Sequence, residues 1–255
     1  MAGKKKDTSL LHHLVGSRSL VWNLAKNDIK KKFAGSYFGV VWAFVQPVIT
    51  VLLYWFVFEK GLNSKATDLR TGIEIPFVLW LTAGLVPWFY FQEALNGGTG
   101  VLVEYSYLVK KVVFQIDMLP VVKMISALFT HLFFVAFTMV LFICMGYMPD
   151  WYALQVVYYS FCMILFATGL VYATSAVTVF FRDMKEVVGI LLQIGMWVTP
   201  IMWNFETMVQ IPGWAIAVLK LNPMYYIVSG YRNALINHIG FWAVSYTHLR
   251  AHETS

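Results

Sequence analysis

Charge is scarce in this sequence. Only 13% of its 255 residues are Asp, Glu, Lys or Arg, against about 25% in ordinary soluble domains, while 59% are hydrophobic. That balance argues for a membrane protein. Cysteine is scarcer still. Cys144 and Cys162 are the only two; both lie in apolar runs without metal-ligand spacing and read as buried filler. There is no zinc motif, no nucleophile elbow and no GxxxxGK[ST] loop. GGTG at 97–100 is followed by apolar residues and lacks the lysine that would reach phosphate. Any nucleotide hydrolysis must therefore come from another polypeptide, and neither a catalytic residue nor a metal site is expected in this chain. No internal repeat argues for an inverted-repeat transporter. Nor is a signal peptide visible, because LLHHLV after KKK is broken by two histidines.

What the chain does have is long uncharged runs: 33–58, 75–92, 124–149, 151–181 and 187–205. Each reaches the roughly 18 to 20 residues that cross about 30 Å of hydrocarbon as helix. Five spans are predicted, at about 37–58, 75–95, 121–147, 151–180 and 187–205. Beyond Glu206 the uncharged runs are shorter and carry Pro212 and Pro223, so 207–235 is expected to form re-entrant or interfacial helices. With the N-terminus in the cytoplasm the inner segments hold thirteen Lys and Arg and the outer ones five, which favours that orientation. The same asymmetry accounts for the basic pI, and nothing resembles a nucleic-acid-binding domain.

Two inner segments attract attention. Residues 1–36 form the cytoplasmic N-terminus. Within it, Trp22, Ala25, Ile29 and Phe33 recur at helical spacing with Lys26, Lys30 and Lys31 elsewhere on the wheel, the pattern of an amphipathic helix on the membrane lipids of the inner leaflet. Simple topology anchoring explains the same charges. In FFRDMKEVV at 180–188, Arg182, Asp183, Lys185 and Glu186 crowd between two spans, where burial at a bilayer centre would forfeit roughly 10 kcal/mol. The cluster therefore marks an aqueous turn.

Five local patterns occur in order: GSYFGVVWAFVQP at 35–47, YLVKKVVF at 107–114, FFRDMKEVV at 180–188, TPIMW at 199–203 and NPMYYIVSGYRNAL at 222–235. Together they resemble the transmembrane permeases of bacterial ATP-binding-cassette exporters for polysaccharides, the group serving O-antigen, capsule and teichoic acid export. The likeness covers residues 15–242. It implies an all-α polytopic bundle of the type-2 exporter kind in the bacterial inner membrane. The permease would pair as a homodimer with two copies of a separate ATPase, which binds ATP and Mg, and would carry a lipid-linked polysaccharide. This chain would itself hold no cofactor. The family has a sixth span after Phe241, and the tail SYTHLRAHETS does not supply one. Residues 245–255 are expected to be non-native.

The resemblance also implies site roles. Glu104, Lys110 and Lys111, on an expected short helix around 101–113, together with Arg182, Asp183 and the N-terminal interfacial helix, would form the surface that couples to the ATPase. A solvated turn is the plainer alternative for Arg182 and Asp183. Trp42, Gln46, Tyr54 and Trp55 in the first span, and Gln193, Trp197 and Trp203 in the fifth, would line a channel. There sugar rings would stack on aromatic faces and hydroxyls would find polar partners, although Trp and Tyr at span ends serve equally as interfacial belts. Tyr225, Tyr226, Tyr231 and Arg232 would form an outer gate. His131, within the third span, reads as an interhelical hydrogen-bonding group. The rivals are a membrane glycosyl or acyl transferase, which would want converging acids, and a drug-exporting permease of the same superfamily.

Overall fold

A computed structural model describes residues 18–32, 34–69, 71–106, 116–203 and 212–241. Among these, nine α-helices carry the fold: α1 (Arg18–Lys32), α2 (Trp42–Trp55), α3 (Phe77–Thr99), α4 (Val101–Glu104), α5 (Leu119–Cys144), α6 (Gln155–Phe180), α7 (Met184–Val198), α8 (Gly213–Leu221) and α9 (Pro223–Arg232). A π-helical turn, Phe56–Gly61, prolongs α2. Between α2 and α3, β1 (Ala66–Thr67) and β2 (Glu74–Ile75) pair antiparallel.

Helix α3 is the axis of the bundle. It packs against α5, α6, α7 and α9, and nearly every side chain from Phe77 to Leu95 is buried. Its N-terminus borrows a carboxylate: the Val78 N–H donates to Glu59 Oε2 at 3.3 Å, satisfying a donor that has no helical partner. On α6 the buried residues Tyr159, Met163, Ala167, Val171, Ser175 and Thr178 recur every three or four positions, one helical stripe against the axis. The opposite face shows Phe161, Leu165 and Val177. Exposed apolar side chains of this kind suit lipid.

Three helices among the described residues are long and apolar enough to cross a membrane: Trp42–Gly61, Ile116–Cys144 and Trp151–Phe180. The other two expected spans form helices of a different character. Helix α3 is long enough but carries Gln92, Glu93, Asn96 and a glycine pair, which its burial allows because it meets protein rather than lipid. Helix α7 has only 15 residues. It stops at Thr199, extended at ψ 129°, because Pro200 disfavours the helical conformation in the residue before it.

The segments expected to share a membrane face do gather. Lys32 bonds Glu93 at 2.7 Å and Lys123 bonds Asp28 at 2.6 Å, bringing α1, the end of α3 and the start of α5 together. At the other end the Leu69 N–H donates to Asn237 Oδ1 at 3.0 Å, and His238 Nδ1 lies 2.7 Å from Asp150 Oδ2. Helix α1 is turned differently from its expected stripe. Val21, Ala25 and Asp28 are buried while Trp22 is half exposed, because Val21 and Ala25 pack on Met118 and Val122 of the α5 entry and protein contact, not lipid, selects the buried face. Cys144 is exposed and Cys162 half-buried, so neither is the buried filler expected. The expected tail at 245–255, Phe33, Lys110 and Lys111 lie outside the described residues.

Candidate functional site

A cleft of about 720 Å³ opens at the α1 end of the bundle. One wall is α2, whose Trp42, Gln46 and Tyr54 face it, and the other is α3 with Phe89, Gln92 and Asn96. Ser126 and Thr130 of α5 add hydroxyls, and Met196 of α7 adds apolar surface. Pro47 also lines the cleft. A proline offers no N–H to the residue four back, which deprives the Ala43 carbonyl of its helical donor beside the cavity. The lining thus mixes aromatic faces, amides and hydroxyls, groups that bind polyhydroxylated ligands, with the charged side chains of Asp28, Lys31, Lys32, Glu93, Glu104, Lys123 and Lys185.

Three of the seven expected channel residues, Trp42, Gln46 and Tyr54, meet here. The others lie elsewhere. Trp55 is at the far end of α2, with Lys60 Nζ 5.7 Å from its ring centroid. Gln193 and Trp197 are exposed on α7 in the company of Ile190 and Ile194, and Trp203 donates its indole N–H to the Trp197 carbonyl at 2.8 Å. That α7 face and the exposed residues Ile49 and Leu53 of α2, with Phe56 of the π-helical turn, are large apolar surfaces without a neighbour among the described residues.

Charged groups close the mouth of the cleft. Lys123 on α5 donates to Asp28 of α1 at 2.6 Å and lies 3.1 Å from Glu104 Oε2 of α4. Tyr105 donates its hydroxyl to the same Asp28 oxygen at 2.8 Å. Two charge-assisted bonds to one buried carboxylate oxygen compensate its desolvation. Beside the mouth, Arg182, Lys185, Glu104, Asn96 and Thr178 line a second groove of about 360 Å³. The structure therefore brings together two expected ATPase-contact residues, Glu104 and Arg182. Asp183 is exposed at the N-cap of α7 and does not line the groove.

The expected gate residues sit at the opposite end and are mostly interior. Asn222 caps α9, its Oδ1 accepting from the Met224 N–H at 3.0 Å while its amide donates to Thr199 Oγ1 at 2.8 Å. Tyr231 lies 2.5 Å from Ser160 Oγ and 3.2 Å from His131 Nε2, so His131 bonds between helices. Arg232 is buried, its guanidinium 3.3 Å from the Trp80 ring centroid and donating at 2.6 Å to both the Pro200 and Ile201 carbonyls. Gly84 makes that fit possible, since a Cβ there would stand 2.7 Å from Nη2. Tyr225 is buried and Tyr226 is the exposed member of the four.

Sequence reading missed Asp28, Gln92, Asn96 and Lys123. Asp28 and Lys123 are 95 residues apart, and no periodicity joins them. Asn96 carried a signal, as a polar amide beside a glycine pair in a buried helix. Among the described residues no three His, Cys, Asp or Glu gather as a metal site.

Buried axis, lipid-suited flanks and a polar cleft at one end define a multi-pass helical membrane protein. The ABC-2 type transporter model matches residues 19–236, and the chain belongs to that family. It is a permease subunit of an ABC transporter in the bacterial inner membrane, not an enzyme, and its ATPase is a separate subunit. The curated proteins it resembles include the O-antigen export system permease protein RfbA of Myxococcus xanthus, 25% identical over 90% of this chain and 85% of that one. Two proteins of the same name from Klebsiella pneumoniae are each 20% identical, over 85% and 84% of this chain and 80% and 79% of theirs.

Proposed function

We propose that this permease exports a lipid-linked polysaccharide of the O-antigen kind, working as a homodimer with two ATPase subunits. The observation that carries this reading is the cleft, where Trp42 and Tyr54 offer ring faces and Gln46, Gln92 and Asn96 offer amides. Sugar rings present C–H faces to aromatics and hydroxyls to amides, so such a lining binds a polymer without favouring one monomer strongly. The α1 end faces the cytoplasm, in keeping with its lysines, and the polymer enters there. ATP and Mg belong to the ATPase, which grips the groove between Glu104 and Arg182 and pushes on α4 and on the α6–α7 turn. The uncovered apolar faces of α2 and α7 support a second copy meeting the first around a shared channel. The α9 segment closes the far end.

The test is co-reconstitution of the permease and its ATPase in liposomes with labelled lipid-linked polysaccharide. ATP should drive the polymer across, and Gln46→Ala with Trp42→Ala should slow translocation while ATP hydrolysis continues. Stimulation of hydrolysis by apolar drugs but not by the polymer would reverse the substrate assignment.

A further inference from the structure

We propose that Lys123 is a positioning residue for energy coupling: it latches α4 to α1 at the mouth of the cleft, so that an ATPase drawing α4 away releases the latch. The proposal rests on the exporter reading and adds to it a specific linkage.

Helices α1 and α4 are far apart in the chain and share one bed. Val21 and Ala25 of α1 lie on Met118 and Val122, while Val101 and Tyr105 lie on Leu119. One turn further along α5, Lys123 reaches both helices, at 2.6 Å from Asp28 and 3.1 Å from Glu104. The two arms differ in environment. The Lys123 and Asp28 side chains are 12% and 9% exposed, whereas Glu104 is 52% exposed. An ion pair withdrawn from water is costly to break, and one half in water is worth little to stability. The Asp28 arm is therefore the fixed one and the Glu104 arm the releasable one. Asp28, Glu104 and Lys123 all border the cleft, and Glu104 also borders the groove assigned to the ATPase. A contact that adds little static stability yet joins these two places is suited to a latch that a small pull on α4 releases. Engagement of α4 by the ATPase would draw Glu104 away from Lys123 and free the mouth to open.

The experiment uses the full permease–ATPase complex in nanodiscs, with Cys144 and Cys162 replaced by serine and spin labels at Asn27→Cys on α1 and Ser106→Cys just beyond α4, both exposed positions. Without polymer, the parent should give one narrow distance distribution, and Lys123→Met and Glu104→Ala broad ones. Lys123→Arg should restore the narrow distribution. In proteoliposomes the first two should export at least about fivefold less polymer per ATP, the low end of ordinary coupling between sites, with Lys123→Arg recovering most of it. Should Lys123→Met fail to assemble, Glu104→Ala, at a half-exposed position, carries the test alone. Distance distributions unchanged in both variants would overturn the proposal, because loss of export alone would then reflect a lost contact with the polymer. An unmodified complex that exports no polymer, while its distances still depend on Lys123, would instead defeat the exporter reading and leave the tie standing.

Discussion

Gly98 allows α3 to lie against α6, and substituting it tests whether that contact sets the geometry of the groove. A Cβ at this position would stand 2.4 Å from Val171 Cγ1, 2.9 Å from Cγ2 and 3.2 Å from Cβ. Ordinary contact begins near 3.4 Å, so the nearest methyl must retreat by about 1 Å. Val171 is fully buried, and overpacking of this kind costs about 1 to 3 kcal/mol. Val171→Ala alone should cost about 1 to 2 kcal/mol, as a void between helices that association in lipid depends on filling. The double variant Gly98→Ala/Val171→Ala restores one of the two lost methyls from across the interface and should return to within about 1 kcal/mol of the parent, a coupling that only touching residues show. Unfolding in mild detergent, followed by near-ultraviolet circular dichroism, measures all four proteins. Strict additivity of the two single effects would show that the helices do not meet at this point. The neighbouring bond between Thr99 and Thr174 hydroxyls, 3.0 Å, would then also be in error, and with it the placement of Asn96 and Gly100 beside Arg182.

Arg232→Met should destabilise the protein by about 3 kcal/mol, because it strips donors from the Pro200 and Ile201 carbonyls and a cation from the face of Trp80. Arg232→Lys should fall between, since an ammonium lacks the planar fork that reaches both oxygens while stacked on Trp80; thermal melts in detergent rank the three. Tyr231→Phe should cost about 1 kcal/mol by removing the hydroxyl shared with Ser160 and His131, and an unchanged melting point would contradict the bond. Arg182→Ala should lower export while leaving the ATPase bound, and Asp183→Ala should do so less, because only Arg182 lines the groove; equal losses in a transport assay would count against that distinction.

Much of the fold was legible because lipid imposes a length and a polarity on any helix that touches it. The α5 and α6 runs stand out for that reason, as does the turn at Arg182. Helix α3 was legible in position but not in role: wrapped by other helices, it keeps Glu93 and Asn96 where a lipid-facing span could not. The α7 span was overestimated because hydropathy continues through Pro200 although the helix does not. Of the site, Trp42, Gln46 and Tyr54 could be chosen as polar or aromatic residues in a span, but so could Trp55 and Trp197, which point elsewhere. Side-chain type records chemistry, and only packing decides which face a helix turns inward. Asp28 and Lys123 belong to the same lesson. Each looks like an ordinary flank charge until α1 is folded onto α5.

On the proposed route the polymer passes through the cleft between α2 and α3. A photoreactive amino acid at Gln46 would meet it there, in inner-membrane vesicles supplied with radiolabelled lipid-linked polysaccharide and ATP. Label should attach to the permease at Gln46 and fall when ATP hydrolysis is blocked, while the same probe at exposed Leu165 on α6 should capture lipid but no polymer. Polymer captured equally from both positions, or from neither in vesicles that export it, would place the route outside this cleft.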